Sequence, residues 1–535
     1  MARLFTNSRA AAAVGLAAVL AGCGGADAGG SAGAGGGGAG GGAGTGGNVA
    51  GTGGGVAGTT GLAGTTDVGG TTGAGGAIGA GGTTGVGGGA GTTGAAGAGG
   101  GGSAGTTGGA GGGGSGGGGR GGTGGGGRGG SAGTTGAAGT GGGAGGSGGA
   151  GGTGGTSSHA ADAAYCTQQI TQAATDFARF RTTYTNPASI PRSAKGGTAR
   201  MVNASDWTSG FPAGSFWLLF ERTKDQAWRT AAESWTAALM SQATRTDTHD
   251  VGFIINSSFG NGYRLTQTAS YKTVITTAAG SLASRFDPDV GCTRSWDFSG
   301  NWTFPVIIDN MMNLELLFRA TALGGEARFA MIGTTHAATT RMNHFRADAS
   351  SYHVVDYNPT TGAVIKKITN QGVADESAWA RGQAWGLYGF TMSYRETNDA
   401  RFLDQATRIA DFYTQSTRMP ADGVPYFDFD APIRDDVPDY RDASAGAIAA
   451  SGLFELAKYA TAAGAAERYR AFAIKAVRSL SSTGSTGYRA ATGTNNQFLL
   501  MHTVGNYPQN DEIDVAMNYA DYYYLEALGR CADLP

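Results

Sequence analysis

From about Ser157 to the end of the chain, apolar side chains return every three to four positions, the spacing that lines one face of a helix. The pattern predicts helices over Thr167–Tyr184, Gln226–Gln242, Tyr271–Arg285, Val306–Leu323, Ala327–Phe345 and Ser377–Tyr394. Arg401–Thr417, Ala443–Ala460, Ala466–Leu480 and Asp514–Arg530 continue the series. Start signals fit: Asp225 and Asp399 each precede a helix, and Ser377 stands near the head of another. Breaker clusters such as Asn358-Pro359-Thr360-Thr361-Gly362 and Met419-Pro420-Ala421-Asp422-Gly423 separate the helices. Runs alternating with period two are scarce, so no strands are expected. Stacked solenoid repeats would need self-similarity at a fixed period, which the sequence lacks. The expected fold is all-α: a closed ring of helical hairpins, the (α/α)6 barrel, whose rim loops and inner helices surround one pocket.

The first 156 residues have a different texture. Arg3 and Arg9 flank a basic start, an apolar run covers Ala10–Leu20, and Leu20-Ala21-Gly22-Cys23 follows. That run is too short to span a bilayer and ends on small residues, as a cleaved export signal does. The four residues resemble the lipobox of bacterial lipoproteins. The resemblance implies a signal peptide over 1–22, cleavage before Cys23, and diacylation of its thiol; an ordinary signal with an incidental cysteine is the alternative. Gly24 after the cysteine implies a cell-envelope location, at the outer membrane or cell surface. Residues 23–156 are mostly Gly with Ala, Thr and Ser and nearly uncharged. Such a tract cannot bury enough apolar surface to offset its ordering entropy, so a disordered tether is expected. Its glycines keep no three-residue period and it has no proline, which excludes collagen.

Residues 157–535 then form one catalytic-sized domain. The tether supplies most of the 103 glycines, and the net charge of -2 with no basic stripe gives no nucleic-acid footprint. The membrane is expected as a partner only through the lipid. Of the four cysteines, Cys23 is taken by the lipobox. An exported protein can hold a Cys166–Cys531 bridge if its two ends meet, the alternative being two free buried thiols. With no His-Glu-x-x-His and no Cys-x-x-Cys, a zinc site is not expected. His336 and His344 read as core or surface histidines.

Sugar sites combine flat aromatic faces with polar groups in a concave pocket. Asp206-Trp207-Thr208-Ser209-Gly210-Phe211, Arg294-Ser295-Trp296-Asp297 and His353-Val354-Val355-Asp356-Tyr357 are dense in both. Asp309 stands among Val306, Ile307, Ile308, Met311 and Met312, where a desolvated carboxyl would be kept protonated as a general acid. A helix-capping aspartate is the bland alternative, and Asp250 has a similar one. Arg381 and Trp385, four apart, share one helix face, able to take a carboxylate and a sugar ring; a core helix with one satisfied arginine is the alternative.

Four strings occur in order: His249-Asp250-x-Gly252-Phe253, Asp309-Asn310-x-Met312-Asn313-Leu314, Trp379-Ala380-Arg381-Gly382-Gln383-Ala384-Trp385 and Asp521-Tyr522-Tyr523-Tyr524-Leu525-Glu526-Ala527-Leu528. With them, Trp207–Arg530 resembles the unsaturated glucuronyl hydrolases, glycoside hydrolases with an (α/α)6 barrel. The resemblance implies a lyase-made unsaturated oligosaccharide as substrate, and that no metal or organic cofactor is required. Asp309 would be acid/base and Asp250 the second essential aspartate. Trp207, Trp296, His353, Gln371, Arg381 and Trp385 would contact the sugar, together with a late loop within His502–Glu512. Three other readings stand beside it. They are the sister unsaturated rhamnogalacturonyl hydrolases, a catalytically silent carbohydrate-binding barrel, and a sugar epimerase, which would want more histidines near the pocket floor than His353.

Overall fold

The computed structural model describes residues 155–297 and 301–535. The signal, Cys23 and the Gly-rich tract lie outside the described residues. Helices alternate between two concentric layers. The outer layer holds α1 (Gly155–Thr183), α3 (Gln226–Ala237), α6 (Ala269–Ala283), α8 (Ala327–Asn343), α10 (Ala400–Gln415) and α12 (Ala465–Leu480). The inner layer holds α2 (Gly210–Thr223), α4 (Val251–Ile255) with α5 (Asn261–Thr266), α7 (Asn310–Ala322), α9 (Ala380–Thr397), α11 (Ala443–Leu456) and α13 (Asn518–Ala532). A π-helical turn, Asn256–Gly260, joins α4 to α5. Each inner helix packs on the next and α13 closes on α2, which makes an (α/α)6 barrel.

The two layers differ in sequence because they differ in surroundings. Outer α10 buries Phe402, Gln405, Ala406, Ile409, Ala410 and Tyr413, one stripe at helical spacing, and Asp399 caps its start by accepting from the Arg401 N–H. Inner α11 is buried along its whole length, and its Ala, Ser and Gly residues let α9 and α13 approach on both sides. A helix buried all round has no amphipathic stripe. α2 and the α4–α5 pair escape the periodicity reading, whereas α11, buried throughout, falls within the expected Ala443–Ala460. Gly252 of α4 is needed at such a contact: a Cβ there would lie 2.5 Å from the Asn313 Cα of α7.

Strands are present, against expectation. β1 (Ile190–Lys195) pairs with β2 (Thr198–Val202) and β8 (Ala516–Met517), and β3 (Phe286–Asp287) pairs with β4 (Cys292–Thr293). β5 (Pro305–Ile307), β6 (Val354–Tyr357) and β7 (Val364–Ile368) form a third antiparallel sheet. Val306 and Ile307, read as the start of a helix, therefore lie in β5, and the helix begins only at Asn310. Likewise Ala516 and Met517 pair as β8, and the last helix starts at Asn518. All these strands are short and sit in loops, so none carries enough alternation to be read.

A disulfide joins Cys166 of α1 to Cys531 of α13, Cα atoms 5.9 Å apart, while Cys292 is a free, buried thiol. Charges close the end of the barrel where the inner helices terminate. Arg395 donates to Glu315 (2.6 Å) and Glu455 (2.7 Å), and Arg530 lies 2.9 Å from Glu455. The cavity there, about 500 Å³, is lined by these paired groups and contains none of the predicted site residues.

Candidate active site

The predicted site gathers at the opposite end, where the inner helices begin. Trp207 precedes α2, Asp250 precedes α4, Asp309 precedes α7, Arg381 lies in the first turn of α9, and Asp442 precedes α11. Helix starts present unpaired N–H groups and partial positive charge, which favours an anionic ligand.

Asp309 occupies the cap position of α7, but its backbone is already helical and its side chain caps nothing. The capping alternative is thereby ruled out, and the same holds for Asp250 at the start of α4. Asp309 is 8% exposed and its Oδ2 is buried without a hydrogen-bond partner. Burial pushes its pKa up to about 7, opposed by the Arg381 charge and assisted by the Asp250 carboxylate. The asparagines of the same string are the scaffold. Asn310 accepts from Ser295 Oγ and donates to the Thr293 carbonyl (2.8 Å each), and Asn313 accepts from the Phe253 N–H at 2.6 Å. These bonds hold the Asp250 segment and the Trp296 segment against α7.

His353 faces Asp309, Nε2 to Oδ2 3.8 Å, too far for a hydrogen bond. Its Nδ1 accepts from the Asn370 and Gln371 N–H groups, so the ring proton sits on Nε2, toward the carboxyl. Burial pushes its pKa down to about 3, so the ring is neutral. His249 donates from Nδ1 to the Ser295 carbonyl at 2.7 Å and sets Nε2 3.2 Å from Asp250.

Trp207 is half-buried among Phe211, Phe253 and Tyr519. Trp296 is 7% exposed and packs edge-on against Trp302. Trp385 is wholly buried between Phe253 and Tyr523 and offers no ring face to a sugar. Its indole N–H is close enough to lower the Asp309 pKa, without hydrogen-bond geometry.

Arg381 departs most from expectation. It donates to Asp442 (2.9 Å), to Gln371 Oε1 (2.6 Å), and to the Gly505 (2.7 Å) and Val504 carbonyls, with its guanidinium over Trp379. The satisfied-arginine reading thus replaces the sugar-carboxylate fork: Arg381 fixes the late loop and Gln371 beneath the site. Arg381→Lys keeps the charge but cannot serve four acceptors. Each acceptor left unpaired costs roughly 1–3 kcal/mol, so a lowered melting temperature and reduced turnover are expected. A variant matching the parent in both would show the fork to be dispensable.

Among the described residues no cluster of His, Cys, Asp or Glu could hold a metal ion. Sequence reasoning gave no role to Trp379, which stacks on His353 (4.5 Å between centroids), or to Asp442. Asp442 announces itself as a helix start before an Ala-rich run, accepting from the Ser444 and Ala445 N–H groups.

The sequence model of Glycosyl Hydrolase Family 88 matches residues 184–526. The chain belongs to glycosyl hydrolase family 88. This family 88 enzyme is 45% identical to an unsaturated glucuronyl hydrolase of Formosa agariphila over 335 residues, 62% of this chain and 82% of that one. It is similar to a crystal structure of an unsaturated glucuronyl hydrolase specific for heparin, with 44% identity and a TM-score of 0.64. That match covers 70% of this chain and 97% of the other. A mutant unsaturated glucuronyl hydrolase from Streptococcus agalactiae, complexed with dGlcA-GalNAc6S, is 26% identical, with a TM-score of 0.58 over 69% of this chain and 90% of that one.

Proposed function

We propose that this family 88 enzyme releases a 4,5-unsaturated uronic acid from the non-reducing end of lyase-generated oligosaccharides by hydrating the C4–C5 double bond. The observation that carries the mechanism is Asp309: a carboxyl that caps nothing, is buried, and has a pKa near 7. Asp309 gives its proton to C4, and positive charge spreads over C5 and the ring oxygen. The new carboxylate is met by two donors without other partners, His353 Nε2 and Trp385 Nε1. It then takes a proton from water as the water oxygen bonds to C5. The hemiketal opens by breaking the bond from C5 to the ring oxygen, leaving a ketone. The hemiacetal exposed at C1 then expels the next sugar, with one water consumed overall. Asp250 keeps Asp309 protonated by like-charge repulsion and binds ring hydroxyls.

Offering unsaturated disaccharides from chondroitin, hyaluronan, heparin and pectin, and following the loss of double-bond ultraviolet absorbance, tests the reading. Preference for a rhamnose-linked disaccharide would favour the rhamnogalacturonyl alternative, and no turnover of any would leave a binding barrel. The acid form of Asp309 does the work, so kcat/KM should be high below about pH 7 and fall as pH rises through it. His353, neutral down to about pH 3, adds no limb nearby. A rate that climbs between pH 7 and 9 would count against Asp309 as the acid.

We infer the location from sequence alone: a lipid on Cys23, with the Gly-rich residues 23–156 as a spacer between it and the catalytic domain. Cys23→Ser should release the protein from membrane fractions with turnover unchanged. A chain starting at Ser157 should fold and be fully active, since it keeps Cys166 and the barrel. Loss of activity in that shortened chain would mean that the tract packs on the barrel.

A further inference from the structure

The β5–β6–β7 sheet carries the two segments that meet at the active site: Ile307 leads to Asp309, and His353 precedes Val354. Side chains alternate between the faces of a sheet, so its register sorts them. Ile307 pairs with Val354, Val354 with Ile368, and Asp356 with Lys366. These residues therefore share one face, and Trp296, Ile307 and Val354 form an apolar cluster there, with Trp302 and Ile368 packed against it. Val306, Val355 and Tyr357 point the other way, into a separate cluster with Cys292.

Along β7, Ile368 lies at the end nearest His353. Lys366 lies two residues farther out, roughly 6–7 Å at strand rise. Trp302 meets Trp296 edge-on, 5.8 Å between centroids, and is half-buried, so that part of it stays exposed. The Lys366 ammonium lies over one face of the Trp302 ring, 4.8 Å from its centroid, and donates to the Asn301 carbonyl. Among the described residues it forms no ion pair with a carboxylate. An ammonium has three donors, so this one keeps hydrogen-bonding capacity beside an aromatic face.

We infer that Trp302 and Lys366 form a subsite for an anionic sugar of the leaving group, one position beyond the scissile bond or the next. The inference rests on the reading of Asp309 as the acid that attacks a terminal sugar. A terminal sugar occupies the floor, and the wall leading away from Asp309 then meets the sugars to be expelled. Trp302 supplies the stacking surface, and Lys366 neutralises a sulfate or a uronate carboxylate carried by that sugar.

Steady-state kinetics of the parent, Trp302→Ala and Lys366→Gln should be compared on three probes. These are the unsulfated unsaturated chondroitin disaccharide, its 6-sulfated form, and the unsulfated hyaluronan tetrasaccharide, whose leaving group carries a uronate. With Trp302→Ala, KM should rise roughly five- to ten-fold on at least one of the two anionic-leaving probes, with kcat retained. With Lys366→Gln, KM should rise about two- to five-fold on that same probe, diminish with added salt, and stay unchanged on the unsulfated disaccharide. A response to the sulfated disaccharide alone places the sulfate at Lys366, and one to the tetrasaccharide alone places the next uronate there. Equal effects of Lys366→Gln on all three probes, or no effect of either substitution on any, would overturn the subsite. If the parent turns over no probe at all, it is the proposed activity that fails, a distinguishable result.

Discussion

Asp309→Asn should abolish turnover while leaving the barrel and its affinity for the unsaturated sugar intact. The amide has nearly the shape of the carboxyl but no acidic proton, and the position makes no capping bond that the substitution could break. Positioned general acids contribute about 10²–10⁴-fold, and here one group serves both as acid and as base, so the upper part of that range is expected. Asp250→Asn should behave differently. It removes the like charge that helps to hold Asp309 protonated, so the parent's pH dependence should shift toward lower pH in the variant. Calorimetric binding of an unsaturated disaccharide to Asp309→Asn checks that the pocket survives. Turnover within ten-fold of the parent would remove Asp309 from its role.

The second large effect is expected at the other end of the barrel. Glu455 is 5% exposed and is shared by Arg395 and Arg530. Burial alone would raise its pKa, but the two guanidinium groups outweigh it and hold it below the ordinary value. Glu455→Ala leaves both arginines short of a partner in a partly dry site, which costs about 3–5 kcal/mol. Denaturant unfolding of the intact protein should register that loss, while turnover per folded molecule stays near the parent's because no site residue touches the network. A depressed carboxylate contributes stability above its unfolded pKa and loses it as pH falls through the folded value. The parent should therefore lose this contribution in acid, and Glu455→Ala should show a flatter stability curve there. Unfolding midpoints that coincide at all pH values would show the network to be inert.

The parts of this fold that are legible in the sequence are those with a contrast to read. The outer helices face water on one side and core on the other, so α10 and α12 show clear periodicity and lie within a few residues of expectation. Inner helices have less contrast: α7, α9, α11 and α13 still overlap expected helices, but α2, buried along most of its length, goes unread. The third sheet is hidden for a related reason. β5 is three residues long and runs straight toward the turn before α7, so its apolar side chains read as part of the helix. At the site, carboxyls in apolar company are recognisable from neighbours in sequence, as Asp309 is. Roles set by neighbours in space are not: nothing near Arg381 in sequence announces Asp442 or the carbonyls of Val504 and Gly505.

The Cys166–Cys531 link also has a mechanical meaning. It joins two positions 365 residues apart, one within the first helix and one near the end of the last. A pull between the chain upstream of Cys166 and the residues beyond Cys531 passes through the covalent bridge. Everything between the two cysteines, including both aspartates and the whole inner ring, lies on a slack loop outside the line of force. The shielding applies to tension between the segments outside the two cysteines, and it lasts for as long as that bridge stays oxidised.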